Sequence, residues 1–470
     1  MFLLPSSPVQ RAVVGTTVAL LLATLLLLRS PAAAQGLLWP VVALVVLVAA
    51  AFVVVRSRRR ASGWAAAARG GRDLVLHLSP VVLLTLVFPF ASSRLAGADI
   101  GGTPLTTVLL ASSLTVPWLS QAVCLPLYRA IGHLILEGDL QKIEKRFCAT
   151  WPWTFVQTLP AVVLFVVPVQ LFLRFSPSAL AGYVVLCLLH VLFAQSLILT
   201  NVGRRRGRWA LAWAVYAAAL AVAPTWWFLP PLAGLAVQVL PLARELASLR
   251  RPPRLDHRDV AADLVRGILL GAVLWSDKLF LFVVTDGRFA VQTVFLALLP
   301  AVLAYNFYFV RLAPSFDDSV GVVRASMESD PYSVLAHRSR SLADLVTSSV
   351  ATTGLLGAVL GLVVTLLAAT LAPADLQTVG LVSLASWTFM MITILCYKLD
   401  YVGRRAAAQA ISAVHLVLCT VVFLTVSGVG ATYGLLVALD AAVFVLALAA
   451  CLLHWRNPEY TLFWRHATAW

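Results

Sequence analysis

The chain has 470 residues, 61% of them hydrophobic and only 12% charged, with a net charge of +15. Soluble domains are about 25% charged, and no polar stretch here is long enough to fold as one. This excludes an ordinary soluble enzyme. It also disfavours a nucleic-acid binder, because the basic residues sit in short connections, where they act as topology determinants beside anionic headgroups.

Windows of about 20 apolar residues predict about fourteen membrane helices. Their limits are 12–28, 37–55, 73–93, 105–127, 150–173, 178–200, 209–228, 230–248, 261–285, 289–311, 345–371, 376–397, 406–427 and 430–453. The first run has a faint signal-peptide look, with a small-residue site ending at Ala34, but only Arg11 precedes it and the run is long. It is read as a retained helix. Pro230 and Pro231 break the run at 209–248 sharply.

The connections alternate in charge. Arg56–Arg60, Arg129–Arg146, Arg204–Arg208, Arg250–Asp259, residues 312–344, Arg404–Arg405 and the C-terminal tail are basic, and the connections between them carry at most one Arg each. The positive-inside rule then puts both termini in the cytoplasm. Trp151, Trp153, Trp209, Trp226 and Trp227 fall at the expected interfaces.

A faint repeat joins Arg72–Asp73 to Arg258–Asp259 and Thr107–Val108 to Thr293–Val294, and the helices that follow end in LPLYR at Arg129 and FYFVR at Arg311. It suggests an all-α bundle of two six-helix halves, 65–249 and 250–453, preceded by two additional helices and a basic linker in 1–64 and followed by a cytoplasmic tail at 454–470. Repeat-built bundles with a substrate path between halves are typical of transporters.

Asp277 and Lys278 lie side by side in GILLGAVLWSDKLFLFVV. A charge at the bilayer centre costs about 2.5–3.5 kcal/mol. Adjacent helical residues point about 100° apart, so each is expected to seek a partner on another helix or in a water-filled cavity. The pair is a polar site on a transport path, a proton or ion-coupling site, or an interhelical ion pair that fixes packing. Arg266 has Asp263 three residues before it, and Arg129 and Arg311 end the second helix of each half. The latter two could guide an anionic headgroup or serve as plain anchors. Asp440 is the other deep acidic residue, with a packing hydrogen bond or a proton role open to it.

His190 and His415 each stand alone in a helix and are read as satisfied interior histidines. Six scattered cysteines form no metal or disulfide spacing and are read as small core residues. Gly354, Gly357 and Gly361 form a small-residue face for helix contact. The segments 137–147 and 316–345 are expected to be matching amphipathic helices on the membrane surface. No cofactor or metal site is expected.

The segments SLTVPWLSQAVCLPLYRAIGHLILEGDLQKI (113–143) and LDHRDVAADLVRGILLGAVLWSDKLFLFV (255–283) resemble two core helices of the Pel-type exopolysaccharide exporters. These belong to the multidrug/oligosaccharidyl-lipid/polysaccharide flippase superfamily. The resemblance covers roughly residues 65–453, and its most specific point is the Asp-Lys step after a tryptophan, at Asp277 and Lys278. The helices at 12–55 are additional to that pattern.

The resemblance implies a non-enzymatic carrier in the cytoplasmic membrane. It would export a polysaccharide or lipid-linked saccharide by alternating access, with a cytosolic glycosyltransferase and other export-complex subunits as partners. The alternatives are a drug or ion antiporter on the same fold and a polytopic lipid-linked-sugar glycosyltransferase. The latter would need an acidic catalytic loop outside, whereas the acidic loop here is expected inside.

Overall fold

In the computed structural model, residues 8–29, 64–247, 254–371 and 373–467 are described. Apart from a two-residue antiparallel ladder that pairs Asp99–Ile100 with Thr103–Pro104, their regular structure is helical. The first helices are α1 (Pro8–Arg29), α2 (Trp64–His77), α3 (Ser79–Leu95), α4 (Leu105–Val123), α5 (Leu125–Glu137), α6 (Leu140–Leu173), α7 (Pro177–Val202), α8 (Arg206–Val222) and α9 (Leu229–Val239). There follow α10 (Ala243–Ala247), α11 (His257–Val284), α12 (Val291–Phe307), α13 (Ala313–Ser329), α14 (Tyr332–Leu371), α15 (Leu376–Tyr401), α16 (Arg405–Thr425), α17 (Val429–Trp455) and α18 (Pro458–Ala467). A π turn, Tyr308–Leu312, joins α12 to α13.

Eight helical stretches are long and apolar enough to cross a membrane, or ten if two bent pairs each count as one crossing. The chain is therefore an all-α, multi-pass membrane protein. The expected count of about fourteen is not reached among the described residues. The apolar part of α1, Gln10–Leu25, is short. Helices α8 and α9 have only 17 and 11 residues. The run at 37–55 lies outside the described residues.

Several expected boundaries move for physical reasons. The run at 105–127 bends by 43° at Cys124, between α4 and α5. Pro126 cannot donate a backbone hydrogen bond there. The polar segment 137–147 is no separate surface helix, because most of it forms the first turns of the 34-residue α6. The Asp139 carboxylate caps that helix by accepting from the amides of Gln141 and Lys142, each at 3.1 Å. The bond from the Lys142 amide is the main reason that the Asp139 carboxyl titrates below its usual range. Likewise, residues 332–345 belong to the 40-residue α14, and α13 alone is amphipathic. Phe316, Val320 and Val323 bury one face of α13 at helical spacing, while Asp317 and Asp318 are exposed.

Packing divides the chain into two units, Val75–Phe289 and Met1–Leu74 with Ala290–Trp470. Helix α11, expected to open the second half, packs within the first of these, chiefly on α4. Two glycines let it come close. A Cβ on Gly267 would lie 2.3 Å from the Ala122 Cα, and one on Gly271 would lie 2.8 Å from the Trp118 carbonyl oxygen. The indole of Trp118 then donates to the Ile268 carbonyl at 2.7 Å. This is a small-xxx-small contact, in which van der Waals packing stands in for the hydrophobic drive that lipid removes.

Buried Gln195 on α7 reinforces the bend between α4 and α5. Its amide donates to the Val123 carbonyl and its oxygen accepts from the Trp151 indole, both at 3.0 Å.

In the other unit α15 is almost wholly buried. Gly354, Gly357 and Gly361 of α14 face Met391, Trp387 and Ser383 of α15, and the Trp387 indole donates to the Gly354 carbonyl at 2.8 Å. The three-glycine stripe read from the sequence is thus a helix contact.

Gly267→Ala is expected to reduce sharply the yield of monodisperse protein in size-exclusion chromatography, because a Cβ there forces the backbones of α4 and α11 apart. Gly132→Ala, whose added methyl meets open space, should leave the yield at the wild-type level.

Candidate functional site: charges buried in membrane helices

The side chains of Asp277 and Lys278 are 0% and 1% exposed, and Lys278 Nζ lies 2.9 Å from Asp277 Oδ1. The two neighbours thus meet, although residues about 100° apart on a helix do not face each other well. That argument concerns the direction of Cβ, whereas the four-carbon lysine stem curls back along its own helix. The same ammonium lies 3.3 Å from the Leu274 carbonyl one turn earlier. Residues 267, 271, 274 and 278 fall on one face of a helix. The ion pair therefore sits at the edge of the stripe through which α11 grips α4.

Arg129, near the start of α5, is held by two carboxylates of α11, at 3.1 Å from Asp259 and 2.8 Å from Asp263. Asp263 is mostly buried and Asp259 is exposed. The guanidinium is thus a clamp between two helices, with much of its charge already answered. The sequence spacing offers Arg266 either snorkelling or a local pair with Asp263; in the structure Asp263 meets Arg129 across two helices, and Arg266 is half-buried. Arg311 lies in the π turn, half-buried, with no ion pair among the described residues.

The two histidines that look solitary in the sequence both have polar partners. His190 lies 2.8 Å from the Leu186 carbonyl and 3.0 Å from the Tyr216 hydroxyl. His415 Nδ1 lies 2.9 Å from Asp440 Oδ1, and both side chains are fully buried. The structure thus joins Asp440 to a second titratable group on the preceding helix.

A further site is not visible in the sequence. Lys398, near the end of α15, is 1% exposed. Its ammonium lies 3.1 Å from the centre of the Phe316 ring and 5.3 Å from that of Tyr308. Phe316 packs edge-on against Tyr401 and Trp455. The ammonium has no hydrogen-bond acceptor among the described residues, and Asp317 of α13 attracts it electrostatically. Ring faces carry negative quadrupole charge and are the main compensation available to this cation. The π turn brings Tyr308 to the site, and such turns recur at functional positions.

All six cysteines are free thiols, and no group of three or more metal-ligating side chains occurs among the described residues. No family model matches the chain, and no curated protein or solved structure matches it either.

Lys398→Met should hold or raise the thermal unfolding midpoint in detergent, because an apolar side chain of similar length suits a site without an acceptor. Phe316→Ala should lower it, because the cation loses its ring and α13 its anchor, a loss of about 3 kcal/mol or more.

Proposed function

We propose that this protein is a transporter of the cytoplasmic membrane that exports a polysaccharide or a lipid-linked saccharide by alternating access, with both termini in the cytoplasm. The observation that carries this reading is the wholly buried Asp277–Lys278 ion pair on α11. Ionisable side chains inside membrane segments mark substrate and ion pathways more often than packing alone explains. The saccharide class rests on the resemblance of segments 113–143 and 255–283 to the Pel-type exporters. The alternation of basic and charge-poor connections supports the orientation.

The chemistry of the pair suits the cargo. A sugar hydroxyl both donates and accepts hydrogen bonds, a carboxylate only accepts and an ammonium only donates. In the closed state the two opposite charges lie 2.9 Å apart. When the path opens, a sugar hydroxyl can donate to the carboxylate and accept from the ammonium while the two opposite charges stay together. Such a carrier changes no covalent bond. A cytosolic glycosyltransferase would supply the chain, and export-complex subunits would receive it.

The test is saccharide release from cells carrying Asp277→Asn or Lys278→Ala at matched membrane abundance. Each variant is expected to release about tenfold less, the scale of one lost interaction of about 1.4 kcal/mol. Undiminished release by both variants would remove the pair from the transport path.

A further inference from the structure

The transporter reading leaves the energy source open, and a second buried couple addresses it. Helices α16 and α17 are neighbours in one unit, and α15 packs against both. Midway along them His415 Nδ1 lies 2.9 Å from Asp440 Oδ1, with both side chains at 0% exposure. The Phe389 ring of α15 closes one side, edge-on to the imidazole at 4.8 Å. Asp440 Oδ2 has no hydrogen-bond partner among the described residues.

Among Asp, Glu, Lys, Arg and His, no other residue lies within two turns of His415 on α16, of Asp440 on α17 or of Phe389 on α15. On α15, Lys398 and Asp400 lie at one end and Asp375 just before the other, and Cys396 faces Ser412 and the Ala408 carbonyl. On α16, Cys419 lies one turn beyond His415, and Arg404 and Arg405 begin the helix. On α17 the others are Tyr433, which packs on Phe423, then Cys451 and His454. Helix α14 carries no charged residue after Asp344.

We propose that His415 and Asp440 form the proton-binding site that couples export to proton movement, an inference that rests on the transporter reading above. The net-neutral couple holds one transferable proton, on the imidazole or on the carboxyl. Losing it leaves a buried carboxylate beside a neutral ring, and gaining another leaves a buried imidazolium beside a neutral acid. Either state is disfavoured without water. Exchange therefore needs a conformation that wets the couple, and Asp440 Oδ2 is the oxygen open to accept. A proton that moves only when the bundle changes state is what coupled transport requires. A mere clasp between α16 and α17 would need only a hydrogen bond, and an uncharged amide pair could supply it.

The double variant His415→Asn with Asp440→Asn separates the two roles, because it keeps a donor and an acceptor but binds no proton. The purified wild-type protein and the variant are reconstituted in liposomes holding a pH-sensitive dye, under an imposed pH gradient and potassium diffusion potential. The wild type is expected to move protons. The variant is expected to match the wild type in yield and thermal midpoint while its proton flux falls to that of protein-free liposomes.

A wild-type trace equal to that of empty liposomes overturns the proposal, as does a variant flux equal to the wild type. Should the double variant not reach the membrane, Asp440→Glu carries the test: flux should persist with a shifted pH midpoint, and an unshifted midpoint overturns the proposal. Saccharide release is measured in parallel in cells producing the wild-type protein. Its absence alongside proton flux would refute the saccharide cargo and leave the proton site standing.

Discussion

A charge inside a bilayer is solvated only by what the protein itself provides. That constraint governs the polar side chains of this chain, and it is answered in four ways. Asp277 is neutralised by its own neighbour at 2.9 Å, and Arg129 by Asp259 and Asp263 across two helices. Asp440 takes a histidine from the helix before it, and Lys398 takes ring faces. These solutions differ in strength. An ion pair cancels charge, whereas a ring face offers only a quadrupole, worth about 2 kcal/mol when desolvated.

The same constraint shapes the backbone. Lipid supplies no hydrogen bonds, so every helix must complete its own or borrow a side chain. At the Cys124 bend the borrowed group is Gln195, which also takes the Trp151 indole. Apolar surfaces gain little by leaving lipid for one another, so helices associate where small residues allow close approach. Glycines provide this at α4 with α11 and again at α14 with α15. In each unit a buried polar group lies on a helix gripped in this way, Asp277–Lys278 on α11 and Lys398 on α15. A rigid seat limits how far such a group can move without the helix moving too.

Much of this is legible in the sequence, because hydropathy is a local property. Among the described residues the apolar runs form helices, the basic connections mark where most of them end, and Asp277 and Lys278 stand out as charges in an apolar run. The features that escape depend on distance in the chain or on side-chain reach. His415 and Asp440 are 25 residues apart, and only the register between two helices makes them partners. The shell of Lys398 comes from the π turn, α13, α15 and α17, while Lys398 itself reads as an ordinary basic residue at a helix end. The Asp277–Lys278 contact is hidden because Cβ geometry does not describe a flexible stem. Gly267 and Gly271 are visible as a GxxxG step, and only its partner helix needs the structure.

Above all, Asp277 and Lys278 compensate each other inside a membrane helix. A double-mutant cycle measures this directly, by unfolding the purified wild type, Asp277→Asn, Lys278→Met and the combined variant in the same detergent. Each single change should destabilise by about 3–5 kcal/mol by removing the opposite charge beside a buried one, and the combined change should recover most of that loss. Single effects that simply add, within about 0.5 kcal/mol, would show that the two charges do not answer each other.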